Sequence, residues 1–154
     1  MTLEFREVTE DNFEEFVRLE VSPDQKNNFY FKRTDPNLWS LAQMHVYKGS
    51  RIRAIYADDI MVGGMFYAPS LAPEHPERAW LTRFMIDQRH QGKGHGRKAM
   101  LMLFDRVKAE NPKATRLGLS YEPENTLAAA LYKSLGFEET GKVVNGQVVV
   151  RKNL

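Results

Sequence analysis

The feature that most restricts the fold lies between residues 79 and 121. It is a strand, a run of alternating glycines, a long helix and a second strand, in that order. Residues 79–87 (Ala-Trp-Leu-Thr-Arg-Phe-Met-Ile-Asp) read as the first strand. Gly92, Gly94 and Gly96 follow. Met100, Leu103, Phe104 and Val107 then repeat at i, i+3, i+4, i+7, the spacing of a helix with one apolar face. Asn111-Pro112 stops the helix, and 115–121 is the second strand. Such a unit closes as a parallel pair with a right-handed crossover.

The flanking segments point to antiparallel pairing. Residues 52–57 and 60–68 read as a hairpin turned by Asp58-Asp59, and Gly63-Gly64 predicts a bulge or a close backbone approach. Asn145-Gly146 joins 137–144 to 147–152 as another hairpin. Residues 3–8 alternate apolar and polar, as a half-buried strand does. A helix is expected over 10–20, with Thr9 as N-cap and Phe13, Phe16 and Val17 at helical spacing. Pro23-Asp24-Gln25 can open a short helix. Leu38, Leu41, Ala42 and His45 mark the apolar spacing of another, ended by Lys48-Gly49. The last helix starts at Pro123-Glu124-Asn125, carries Leu127, Leu131 and Leu135 on one face, and ends at Gly136. The expected class is α/β (α+β): a mixed, mostly antiparallel sheet of six to seven strands flanked by helices. A chain of 154 residues is the length of one domain, spanning 1–154.

Composition excludes several chemistries. There is no Cys, which removes disulfide frameworks, Cys-ligated zinc and thiol nucleophiles. The four His are scattered, so no metal is expected. Twenty-two basic against 20 acidic residues leave a net charge of +2, too balanced to predict a nucleic-acid partner. No apolar run approaches the ~20 residues of a membrane span. The acidic, weakly apolar start of the chain is not that of a signal peptide. The expected location is the cytoplasm, with no membrane partner.

The glycine loop carries the functional signal. In Gln91-Gly92-Lys93-Gly94-His95-Gly96-Arg97, missing side chains let an anion approach backbone N–H groups, and the following helix N-terminus adds positive potential. Arg89, His90, Lys93, His95, Arg97 and Lys98 surround it with cations. Gly94-x-Gly96-x-x-Ala99 also fits a dinucleotide fingerprint. That fingerprint needs a short turn directly after the strand, inside repeated βαβ units, and here roughly six residues intervene. A phosphate-binding loop of the nucleotidase kind needs Gly-Lys-Ser or Gly-Lys-Thr, and the sequence has Gly-Arg-Lys.

Gln91-Gly92-Lys93-Gly94-His95-Gly96 resembles the acetyl-coenzyme A motif Gln/Arg-x-x-Gly-x-Gly/Ala of the GNAT acetyltransferases. Asn125-Thr126-Leu127-Ala128-Ala129-Ala130-Leu131-Tyr132-Lys133-Ser134-Leu135-Gly136-Phe137 resembles that family's Asn…Leu-Tyr…Leu-Gly-Phe block. More narrowly, Trp80-Leu81-Thr82-Arg83-Phe84-Met85-Ile86-Asp87 and Val21-Ser22-Pro23-Asp24-Gln25 resemble bacterial spermine/spermidine acetyltransferases.

The resemblance implies the GNAT fold and transfer of acetyl from acetyl-CoA, a cosubstrate, to a primary amine in a ternary complex. It implies that Gln91, Gly92, Lys93, Gly94, His95, Gly96 and Arg97 hold the pyrophosphate. It implies that the backbone of Phe84, Met85 and Ile86 pairs with the pantetheine arm where the fourth and fifth strands splay, and that Asn125 bonds that arm. Tyr132 is the expected acid for the departing thiolate, because a phenol keeps its proton at neutral pH. The base is open. Thr82 stands where related enzymes can place a carboxylate, and Glu122, directly or through water, is the nearest substitute. Asp24, Glu74, Glu77, Tyr30 and Trp39 are candidates for holding a polyamine. The expected partner is a small-molecule amine, and a homodimer is left open. Protein N-terminal or lysine acetylation is the alternative acceptor class. A non-catalytic CoA-binding module would have lost the tyrosine.

Overall fold

Turn chemistry and apolar spacing set the element boundaries. The computed structural model describes residues 1–27 and 33–154. Its elements are β1 (Leu3–Arg6), α1 (Phe13–Val17), α2 (Pro36–Val46), β2 (Arg51–Ala57), β3 (Ile60–Ala68), β4 (Arg78–Ile86), α3 (His95–Glu110), β5 (Arg116–Tyr121), α4 (Thr126–Ser134), β6 (Glu138–Val144) and β7 (Gln147–Asn153). One-turn 3-10 helices occupy Gln25–Asn27 and Gln88–His90.

The strands form one mixed sheet in the order β1-β2-β3-β4-β5-β7-β6. β4 and β5 are parallel, while β1–β2, β2–β3, β5–β7 and β6–β7 are antiparallel. The expected class and strand count agree with this. The Asn145-Gly146 hairpin closes in the predicted register, with Val144 opposite Gln147. Among the described residues no helix is long and apolar enough to cross a membrane.

Contacts divide the elements between two compact units, 1–67 with 83–99 and 68–82 with 100–154. β4 and α3 each run from one unit into the other. The core of the first gathers Phe16, Leu19, Ile52, Tyr56, Met61, Phe66 and Met85. Gly63 and Gly64 belong to it as a close approach. A Cβ on Gly63 would run into the Met85 carbonyl, and one on Gly64 into the Phe16 ring. The register between β2 and β3 shifts beside them, so both expectations for the pair are met. In the second unit Leu103, Val107, Leu117, Leu119, Leu135, Phe137 and Val150 are buried.

Two helices depart from the expected reading. α1 covers five residues rather than 10–20. The Thr9 N–H donates to Asn12 Oδ1 at 2.8 Å, and the Thr9 hydroxyl accepts from the Asp11 N–H at 3.3 Å. These local bonds hold 9–12 as a turn in competition with helix. α2 is rotated from the predicted face, leaving Leu38 51% exposed while Asn37 and Ser40 are buried. Asn37 Nδ2 donates to the carbonyls of Phe16 and Leu19 at 3.2 and 2.9 Å. It thereby ties α2 to carbonyls at and just beyond the C-terminal end of α1.

Candidate functional site

The candidate residues fall into two groups, one in each unit. The first is the corner from β4 through the glycine loop into α3. β4 is nine residues long, but among the described residues its pairs with β5 cover only Arg78–Leu81. Phe84, Met85 and Ile86 lie beyond that stretch.

A buried carboxylate organises the corner. Asp87 follows the last strand residue and is 1% exposed. Its Oδ1 accepts from the Arg89 N–H at 2.9 Å and from Arg89 Nε at 2.8 Å, and its Oδ2 accepts from the Glu20 N–H at 3.0 Å. Burial pushes its pKa up, but the hydrogen bonds from the Arg89 side chain and from the Glu20 and Arg89 backbone outweigh it. The net shift is downward. Sequence reading missed this residue. The available signal was an aspartate at a strand end, two residues before an arginine.

Asp87→Asn should lower folding stability by about 1–3 kcal/mol, the range for a buried polar group that loses its proper partner. Because the folded-state pKa is depressed, the contribution exists above the ordinary carboxylate value of about 3.9 and disappears as pH falls through the folded value. Urea unfolding of both proteins should show the gap at neutral pH and its closure in acid. A gap independent of pH would mean that shape, not charge, is what Asp87 contributes.

Past the 3-10 turn, Gln91 Nε2 donates to the Ile86 carbonyl and to Gln25 Oε1, each at 2.8 Å. Gln91 therefore ties the loop to the end of β4. Gly92 and Gly94 sit at φ +75° and +81°, in the left-handed region that side chains rarely adopt. No atom lies within 4 Å of where a Cβ on either would be, so the backbone there is open. A Cβ on Gly96 would meet Phe84 and Ile86 at 3.8 Å, which brings Phe84, Ile86 and Gly96 together. The Lys98 N–H donates to the Gly94 carbonyl at 3.2 Å, making Gly94 the residue that opens α3. His95, Gly96 and Arg97 then carry N–H groups that an α-helix leaves without an intrahelical partner.

The ring of cations around the loop is smaller than the sequence suggests. Arg89 is committed to Asp87. Lys98 Nζ donates to the Met1 carbonyl at 3.1 Å. His95 is 5% exposed. Burial first, then the charges of His90, Lys93 and Lys98, hold its pKa below the usual imidazole value. At neutral pH its side chain is uncharged, so it offers the loop a backbone N–H rather than a charge. The side chains of Lys93 and Arg97 are exposed beside the glycines.

The second group sits on α4 and the turn before it. Asn125 Oδ1 accepts from the Ala128 N–H at 3.2 Å, so Asn125 is the N-cap of α4. Its own N–H donates to the Glu122 carbonyl at 2.9 Å, which holds Glu122 and Asn125 together. At the other end, Phe137 N–H reaches the Tyr132 carbonyl and Gly136 N–H the Lys133 carbonyl, the two bonds of a Schellman ending. This ending folds Phe137 back against Tyr132, with ring centres 5.6 Å apart, edge to face. Tyr121 closes the other flank of the ring at 5.9 Å. Tyr132 is 9% exposed, and burial pushes its pKa up. Among the described residues nothing hydrogen-bonds its hydroxyl.

Of the residues expected to hold a polyamine, Glu77 bonds to Arg116 Nη2 and faces Arg78 Nε, both at 3.4 Å. The Arg33 guanidinium lies 4.5 Å from the centre of the Trp39 ring. Tyr30 lies outside the described residues. Among the described residues no group of His, Asp or Glu is placed to hold a metal ion.

The family model for the acetyltransferase (GNAT) family matches residues 8–137. The chain is 35% identical to the spermine/spermidine N(1)-acetyltransferase of Bacillus subtilis (strain 168), over the whole of both chains. Among solved structures it resembles an acetyltransferase from Thermus thermophilus, with a TM-score of 0.78 and 22% identity over 100% of this chain and 98% of the other. It also resembles the spermidine N-acetyltransferase of Vibrio cholerae in complex with CoA and spermine. There the TM-score is 0.73, with 20% identity over 99% and 94% of the two chains.

Proposed function

The chain belongs to the acetyltransferase (GNAT) family, and we propose that it moves acetyl from acetyl-CoA to a primary amine of a small polyamine, by direct attack in a ternary complex. The observation that carries the donor half is the loop at the head of α3, with two glycines at positive φ and open space where their side chains would be. That cradle fits a pyrophosphate. The full-length likeness to a spermine/spermidine N(1)-acetyltransferase supports the acceptor class.

Each group of residues has a part in this reading. Gly92, Lys93, Gly94, His95, Gly96 and Arg97 hold the pyrophosphate through N–H groups and two cations, while Gln91 braces the loop. Phe84, Met85 and Ile86 orient the pantetheine arm through their main chain, and the N–H of Phe84 or Met85 polarises the thioester carbonyl. Asn125 bonds the arm. Bound acetyl-CoA supplies an activated acyl group. The amine must attack in its neutral form, and Glu122 takes its proton, directly or through water. A C–N bond forms, the C–S bond breaks, Tyr132 gives its phenolic proton to the thiolate, and the second proton shed by the amide nitrogen returns through solvent to Tyr132.

Acetyl-CoA at 100 times its dissociation constant should stabilise the fold by ~2.7 kcal/mol, read as a rise in melting temperature. A rise with NAD and none with acetyl-CoA would overturn the donor assignment. Thiol release should then be followed against polyamines, aminoglycosides, amino acids and peptides. Turnover with peptides and none with polyamines would move the acceptor to a protein.

A further inference from the structure

A second charged site lies in the unit built from 68–82 and 100–154. In the sheet register Arg78 stands opposite Arg116, Trp80 opposite Gly118, and Gly118 opposite Arg151. Alternate residues of a strand share a face, so these side chains project from the same side of the sheet. They line a cavity of about 240 Å³, which Lys142 on β6 also borders. Its floor is aromatic. A Cβ on Gly118 would lie 2.7 Å from the Trp80 ring, so the indole rests directly on that glycine.

The charges are poorly compensated. Like charges directly opposite on neighbouring strands repel, as Arg78 and Arg116 do. The Glu77 carboxylate sits 3.4 Å from both and offsets part of this. Arg151 and Lys142 have no ion pair among the described residues. Glu138, opposite Arg151 in register, makes none with it either. Four cations around one cavity against a single nearby carboxylate leave a net positive potential there, and guanidinium groups are suited to bidentate oxyanion recognition.

We propose that this cavity binds a small polyanion, a polycarboxylate or a phosphate ester, with its oxygens on Arg78, Arg116, Lys142 and Arg151 and its body on Trp80. The volume is below the roughly 300–1,000 Å³ that takes a drug-sized ligand, so the occupant is a small metabolite. This site is distinct from the glycine loop, and the proposal does not depend on the acyl acceptor.

The chain has two tryptophans. Trp39→Phe therefore leaves Trp80 as the only indole reporter. Titrating that protein with citrate and with adenosine 5′-monophosphate, against potassium chloride at matched ionic strength, should give a saturable change in emission. The expected dissociation constant is on the order of 0.1–1 mM. A response to citrate alone identifies carboxylates, and one to the nucleotide alone identifies phosphate esters. Arg151→Ala and Lys142→Ala change exposed residues, so each should fold normally and weaken binding by about tenfold or more. The response should persist in Gly94→Val, which closes the other phosphate cradle. The proposal falls if chloride reproduces the change, if both alanine variants retain it, or if Gly94→Val abolishes it.

Discussion

Tyr132→Phe should lower kcat by about 10²–10⁴-fold, the usual contribution of a positioned general acid. Acetyl-CoA affinity should barely move. The substitution keeps the ring and its contacts with Tyr121 and Phe137. It deletes a hydroxyl that no described residue hydrogen-bonds, so stability should change by less than about 1 kcal/mol. The loss belongs on kcat because a proton donated to the leaving thiolate stabilises the transition state alone. Burial raises the phenol pKa, so Tyr132 stays protonated wherever the amine begins to lose its proton. The wild-type rate should therefore rise with pH across the neutral range, as more amine becomes neutral. Steady-state kinetics on the best acceptor, beside urea unfolding, separates these effects. A Phe variant with near-wild-type kcat would make Tyr132 a packing residue and leave water as the proton source.

Gly94→Val should abolish acetyl-CoA binding. At φ +81° a β-branched residue is strained, at a cost on the order of 1–3 kcal/mol if it holds the native backbone. No protein atom lies near the new Cβ, so the strain is local and the rest of the fold should survive. The side chain would project into the space where phosphate oxygens must approach the backbone. Calorimetric titration should show no heat of binding, and acetyl-CoA should no longer raise the melting temperature. Normal binding by this variant would mean that the phosphates sit elsewhere.

The proposed donor loop was the more legible part of the candidate site, because an open backbone and a helix start are set by local residues. A glycine at every second position before a helix predicts both an open backbone and a helix N-terminus, and both are present at 92–97. The charges around the loop were less legible. Lys93, His95 and Lys98 look alike in sequence, but burial neutralises His95 and the Met1 carbonyl engages Lys98. The one local sign of Asp87's role is Arg89, two residues on. The other partner of Asp87, the N–H of Glu20, lies 67 positions away and leaves no local mark.

Local rules were enough for the strands, the hairpins, the crossover and the ends of α4, since each depends on residues within a few positions of one another. The orientation of α2 was not local. Apolar spacing alone favoured Leu38, Leu41, Ala42 and His45, whereas the folded chain turns Asn37 inward, where its amide meets the carbonyls of Phe16 and Leu19 around the end of α1. The same holds for the length of α1, for the charge state of His95 and for the cationic cavity over Trp80. Sequence determined which segments would be strand or helix and which loop backbone would stay bare. Tertiary structure decided which side chains lost water and which found partners, because desolvation and hydrogen bonding depend on neighbours that chain order does not reveal.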